Sequence, residues 1–71
     1  MTGIKITVNG EPREMLEKST AADLVLAMDL RGGRIAMEVN QEILPRSEYE
    51  TYRLKSGDQI EVVHAVGGGS K

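Results

Sequence analysis

The chain has 71 residues, a formal net charge of −2, and no cysteine, phenylalanine or tryptophan. A single domain of this length buries only about 60% of the surface its unfolded form exposes, which excludes a large internal catalytic cleft. The absence of cysteine excludes a disulfide staple, a thiol nucleophile and a thiolate metal site.

Both signs of charge are interspersed and no basic run is present, which argues against nucleic acid as a partner. No stretch approaches the roughly 18 apolar residues of a membrane span, and the N-terminus lacks the order of a signal peptide. A soluble cytoplasmic protein with no membrane partner is therefore expected. Its core must come from Ile, Val, Leu and Met, because Tyr49 and Tyr52 lie in a polar stretch.

Ile4-Lys5-Ile6-Thr7-Val8 alternates apolar and polar residues with the period of a half-buried strand. Asn9-Gly10 then predicts a type I′ hairpin turn, which needs positive φ at both positions. A second strand is expected over residues 11–17, with Pro12 placing its start on an edge or at a bulge. Thr20, with Asp23 three residues on, starts a helix whose core face carries Ala21, Leu24, Val25 and Met28. The helix should stop near Leu30, with Gly32-Gly33 supplying a left-handed C-terminal turn. Because Gly32-Gly33-Arg34 lacks a Gly-Lys-Ser/Thr ending, it reads as a turn and not a phosphate loop.

Residues 34–39 return to alternation, with Ile35, Met37 and Val39 on one face. Asn40-Gln41 turns the chain into the short segment Glu42-Ile43-Leu44, closed by Pro45. Ser47 to Glu50 predicts one helical turn capped by Ser47. Lys55-Ser56-Gly57-Asp58 is a turn by composition, and Gln59 to His64 forms a last strand with Ile60 and Val62 inward. The order β-β-α-β-β-β in so short a chain predicts an α+β fold, the ubiquitin-like β-grasp, with a mixed four- to five-stranded sheet packed on one helix. Residues 1–65 would form that domain. If its first and last strands pair at the centre, a flexible glycine-rich tail, residues 66–71, leaves from the best-supported strand.

Val39-Asn40-Gln41-Glu42-Ile43-Leu44-Pro45-Arg46, the Ser56-Gly57-Asp58 turn with the strand after it, and Val66-Gly67-Gly68-Gly69 occur in an order and spacing that resembles the ThiS family of sulfur carriers. The likeness spans nearly the whole chain, from Ile6-Thr7-Val8-Asn9-Gly10 onward. It implies a carrier that is a substrate of enzymes and not itself an enzyme, with no catalytic or metal-ligating residues and no bound cofactor. In that family an E1-like adenylyltransferase, ThiF, consumes ATP to activate the C-terminal glycine carboxylate, which becomes a thiocarboxylate. Its sulfur comes through a relay from a cysteine desulfurase and is delivered to thiazole synthase, ThiG, for the thiazole ring of thiamine.

Carried onto this chain, the resemblance makes Gly69 the adenylylated and thiocarboxylated residue, with Val66, Gly67 and Gly68 threading the partner's channel. Glycine suits a narrow channel because it has no Cβ. Ser70-Lys71 depart from the family pattern, since they leave no free carboxylate on Gly69. Either a processing protease removes them, or they are foreign to the natural chain, or the protein has left the carrier role. Processing is the expectation.

Four other readings stay open: a related carrier such as a molybdopterin synthase small subunit, a carrier for amino-acid biosynthesis, a protein modifier joined through Gly69, and a β-grasp interaction module with an inert tail. His64 reads as a half-exposed strand residue, and Arg46, Arg53 and Lys55 as a solvated charged surface. Glu61 and Val63 should face outward from the last strand, with Val63 a candidate for an apolar docking patch.

Overall fold

The computed structural model describes residues 3–30 and 34–64. Strand β1 (Gly3–Val8) turns through Asn9 and Gly10, at φ 53° and 84°, into β2 (Glu11–Leu16). The left-handed pair is what a type I′ hairpin requires, and glycine meets the second position without steric cost. Pro12 is tolerated because β2 is an edge strand, paired only with β1.

Helix α1 (Ala21–Ala27) opens with a reciprocal capping box. The Asp23 N–H donates to Thr20 Oγ1 at 3.2 Å, and the Thr20 N–H donates to Asp23 Oδ2 at 2.9 Å. The helix ends earlier than the glycine pair suggests. Asp29 takes the left-handed conformation at φ 56°, the Leu30 N–H donates to Val25 O and the Asp29 N–H to Leu26 O, both at 3.1 Å. This Schellman closure satisfies carbonyls of the last turn, and aspartate is among the few residues that tolerate αL. Gly32-Gly33 lies outside the described residues. From β2, Arg13 Nη2 donates to Ala27 O at 3.3 Å, setting a cation against the helix C-terminus.

Strands β3 (Ile35–Val39) and β4 (Glu42–Leu44) form a second hairpin through Asn40 and Gln41, both at positive φ. A 3-10 turn at Arg46–Glu48 follows, one residue earlier than expected and with no side-chain cap at its start. Pro45 precedes it with φ already fixed at −62°, so no Ser47 cap is needed to begin it. The last strand, β5 (Gln59–His64), matches its expected bounds.

The five strands form one mixed sheet in the order β2-β1-β5-β3-β4. Strand β5 is central, parallel to β1 and antiparallel to β3. Ile6, Val8, Met37, Val39, Ile60 and Val62 point from the sheet onto Ala21 and Leu24 of the helix. Two further residues correct the expected core: Tyr49 and Leu54 are buried, at 8% and 4% exposure. Polar neighbours hid them, since the chain around the 3-10 turn folds across the start of the helix. There the Ala22 N–H donates to Tyr49 O at 2.8 Å and the Ala21 N–H to Tyr52 O at 3.0 Å. None of the described helices is long and apolar enough to cross a membrane.

Candidate functional site: the root of the C-terminal tail

Strand β5 is the last described element before the glycine-rich segment of the sequence. Inward, Ile60 is almost wholly buried and Val62 nearly so, which fixes the strand's rotation about its axis. Along its β1 edge, backbone and side-chain bonds tie it to the first hairpin. The Thr7 N–H donates to Asp58 O at 3.0 Å and the Asn9 N–H to Ile60 O at 2.8 Å. Strand β1 ends at Val8, so the next rung is supplied by a side chain: Asn9 Oδ1 accepts from the Val62 N–H at 2.9 Å. Asn9 thus closes the hairpin turn and extends the parallel ladder by one step.

The start of β5 is held by a buried carboxylate. Asp58 is 6% exposed, the one buried polar or charged side chain among the described residues. Its Oδ2 accepts from the Tyr52 hydroxyl and from the Lys55 N–H, both at 2.9 Å, and its Oδ1 accepts from Asn40 Nδ2 at 3.1 Å. Asn40 Oδ1 in turn accepts from the Gln59 N–H at 2.9 Å. Burial pushes the Tyr52 phenol up to about 12, and the hydrogen bond to Asp58 and its negative charge add to the shift. This network joins the second hairpin turn, the Gly57 turn and the chain leaving the 3-10 turn.

At the other end, His64 is exposed and lies opposite Ile35. No second ligand-type cluster accompanies it: among the described residues no group of three His, Cys, Asp or Glu could hold a metal ion. The three cations of the expected charged surface have different surroundings. Arg46 lines a groove between the helix and the 3-10 turn together with Val25, Leu26 and Glu50. The Arg53 backbone pairs antiparallel with Thr20, and Lys55 Nζ lies 5.0 Å from the centre of the Tyr52 ring.

Val63 faces the open side of the sheet, as expected, at 57% exposure, and the structure adds Ile43 of β4, at 75%. Val66, Gly67, Gly68 and Gly69, with Ser70 and Lys71, lie outside the described residues. The sequence reading missed Asp58 as a buried acid and Asn9 and Asn40 as clamps. Only the Asn-Gly and Gly-Asp pairings flagged these positions, and they signal turns.

The fold has a counterpart among solved structures. The crystal structure of the thiamine biosynthesis protein ThiS from Geobacter metallireducens superposes with a TM-score of 0.80 at 29% identity, covering 93% of this chain and all of that one. The sulfur carrier protein ThiS of Bacillus subtilis is 36% identical over 53 residues, covering 75% of this chain and 80% of that protein. A thiazole synthase of Paramagnetospirillum magneticum is 34% identical over 67 residues, which are 94% of this chain but only 21% of that longer protein. Because the ThiS family profile matches residues 6–69, nearly the whole fold and its glycine-rich extension, the chain belongs to the ThiS family.

Proposed function

We propose that this protein is a sulfur carrier of thiamine biosynthesis whose reactive group is the carboxylate of Gly69, exposed by removal of Ser70-Lys71. The observation that carries this reading is the reach of the family match, which runs through the three glycines to residue 69 and stops before Ser70. The placement of β5 supports it. A strand paired on both sides and anchored by Ile60, Val62, Asn9 and Asp58 offers a fixed base for the tail.

The chemistry stems from the carboxylate itself. Its delocalised charge makes it a poor electrophile, so it must first become a mixed anhydride with adenylate, releasing pyrophosphate from ATP. The terminal sulfur of a persulfide then displaces AMP to give an acyl disulfide. A thiol of the relay attacks the relay-side sulfur, leaving a disulfide on the relay and releasing the thiocarboxylate, whose nucleophilic sulfur is passed to the thiazole-forming enzyme. All of these steps occur in partners: an E1-like adenylyltransferase, a persulfide relay from a cysteine desulfurase, and a thiazole synthase. The carrier contributes a glycine backbone that fits a narrow, water-excluding channel, and no cofactor of its own.

Deletion of Gly68 and Gly69 from the trimmed chain tests the reading. The variant should keep the melting temperature of the parent and lose all sulfur transfer to the thiazole product. Thiazole formation supported by the deleted form would refute the carrier role.

A further inference from the structure

The two hairpin turns hold an asparagine in the same way and follow it with different residues. Asn9 and Asn40 both have φ 53° and are exposed, each standing first in a two-residue turn. Each offers Oδ1 to a backbone N–H of β5, Asn9 to Val62 and Asn40 to Gln59, both at 2.9 Å. The next residue is Gly10 in one turn and Gln41 in the other. The amide nitrogens differ as well. Asn40 Nδ2 donates to the buried Asp58 at 3.1 Å, whereas among the described residues neither Asn9 Nδ2 nor the Gly10 N–H has a hydrogen-bond acceptor.

Asparagine is a thermolabile residue, and its lability depends on its successor. The backbone nitrogen of the next residue attacks Cγ of the asparagine and gives up its proton. The Cγ–Nδ2 bond breaks, and Nδ2 leaves as ammonia with that proton. Water then opens the resulting five-membered succinimide at either carbonyl, giving aspartate or an isoaspartate whose main chain runs through Cγ. In sum, one side-chain amide and one water yield one carboxylic acid and one ammonia. A side chain on the attacking residue crowds the ring closure. Gly10 has none, and no atom lies within 4 Å of the place a Cβ would occupy.

The fold opposes this reaction while β5 is in place. Ring closure needs rotation of the Asn9 side chain and of the turn backbone, and the bond from the Val62 N–H to Oδ1 restrains both. We propose that Asn9 is a site of spontaneous deamidation that the Val62 N–H keeps closed, and that opens when the end of β5 separates from the first hairpin. Asn40, with Gln41 behind it and Asp58 on its amide, is protected twice over. The two products differ in consequence. Aspartate keeps an Oδ acceptor for Val62. Isoaspartate commits Cγ to the main chain, lengthens the turn that sets the β1–β2 register, and so removes the last described tie on the β1 side of β5.

The full chain is held at mildly alkaline pH, folded in buffer and unfolded in concentrated guanidinium chloride. Peptide mapping by mass locates the exchange of NH for O, and resistance to an aspartate-directed protease distinguishes isoaspartate. Amide hydrogen exchange in the same buffer measures the protection of the Val62 N–H. Asn9 should convert in the unfolded chain and at least about tenfold more slowly in the folded one. That slowing should be no smaller than the protection of the Val62 N–H, and Asn40 should stay unmodified in the folded chain. Equal rates in the two states would overturn the proposal, as would conversion of Asn9 faster than the opening of the Val62 N–H allows. Conversion of Asn40 ahead of Asn9 in the folded chain would overturn it too, and so would an Asn9 that stays intact when unfolded.

Discussion

The two ends of the last strand differ in how they are held. At its start, the buried Asp58 gathers bonds from Tyr52, Lys55 and Asn40, and Asn40 returns one to Gln59. At its finish, Val63 and His64 are exposed, and the last described tie on the β1 side is the Asn9 side chain on Val62. One end is fastened through a polar network and the other is left accessible, which is the arrangement the proposed carrier role requires. Rigidity behind and access in front come from the same short strand.

Substitutions that break the ties of β5 should therefore destabilise the protein, and those of the exposed side chains at its finish should not. The largest effect is expected for Asp58→Ala, which leaves the Tyr52 hydroxyl, the Asn40 amide and the Lys55 N–H without their acceptor. A loss of roughly 3 kcal/mol in urea unfolding is expected. Asn9→Ala removes the acceptor of the Val62 N–H and puts alanine at φ 53°, for a loss of about 2 kcal/mol by the same measurement.

Tyr52→Phe removes one hydrogen bond to Asp58 and should cost about 1 kcal/mol at neutral pH. It also has a pH signature. The folded phenol titrates at about 12, above its unfolded value near 10, so the folded state holds the proton more tightly. The corresponding stabilisation is complete below pH 10 and is lost as pH rises toward 12. Wild-type stability should fall through that window, and the phenylalanine variant should lack this component. The smallest effect is expected for Val63→Ser at the accessible end, less than about 0.5 kcal/mol. A large destabilisation there would break the contrast between the two ends.

Much of this arrangement was legible in the sequence because local rules and tertiary placement agree. Alternation set the inward faces of β1, β3 and β5, Asn9-Gly10 and Asn40-Gln41 marked the hairpins, and Thr20 with Asp23 marked the helix start. The helix end was misplaced because two glycines are the stronger signal, yet Asp29 had already closed the last turn. Tyr49 and Leu54 were not assigned to the core because burial there depends on a loop crossing the start of the helix, which no periodicity records.

The candidate site divided along the same line. The glycine-rich segment was visible as residue types and order, and its proposed reactive position came from the family resemblance. The clamps that fix its root were not visible, since the bond from the Val62 N–H to Asn9 spans 53 residues.

The most direct test of the carrier account is the intact mass of two forms of the chain after incubation with the adenylyltransferase, ATP and the persulfide relay. The form ending at Gly69 should gain the mass of one oxygen-to-sulfur exchange, and the form retaining Ser70-Lys71 should remain unchanged. No gain on the form ending at Gly69 would contradict the carrier role, and equal gain on both would contradict Gly69 as the residue that must be uncovered.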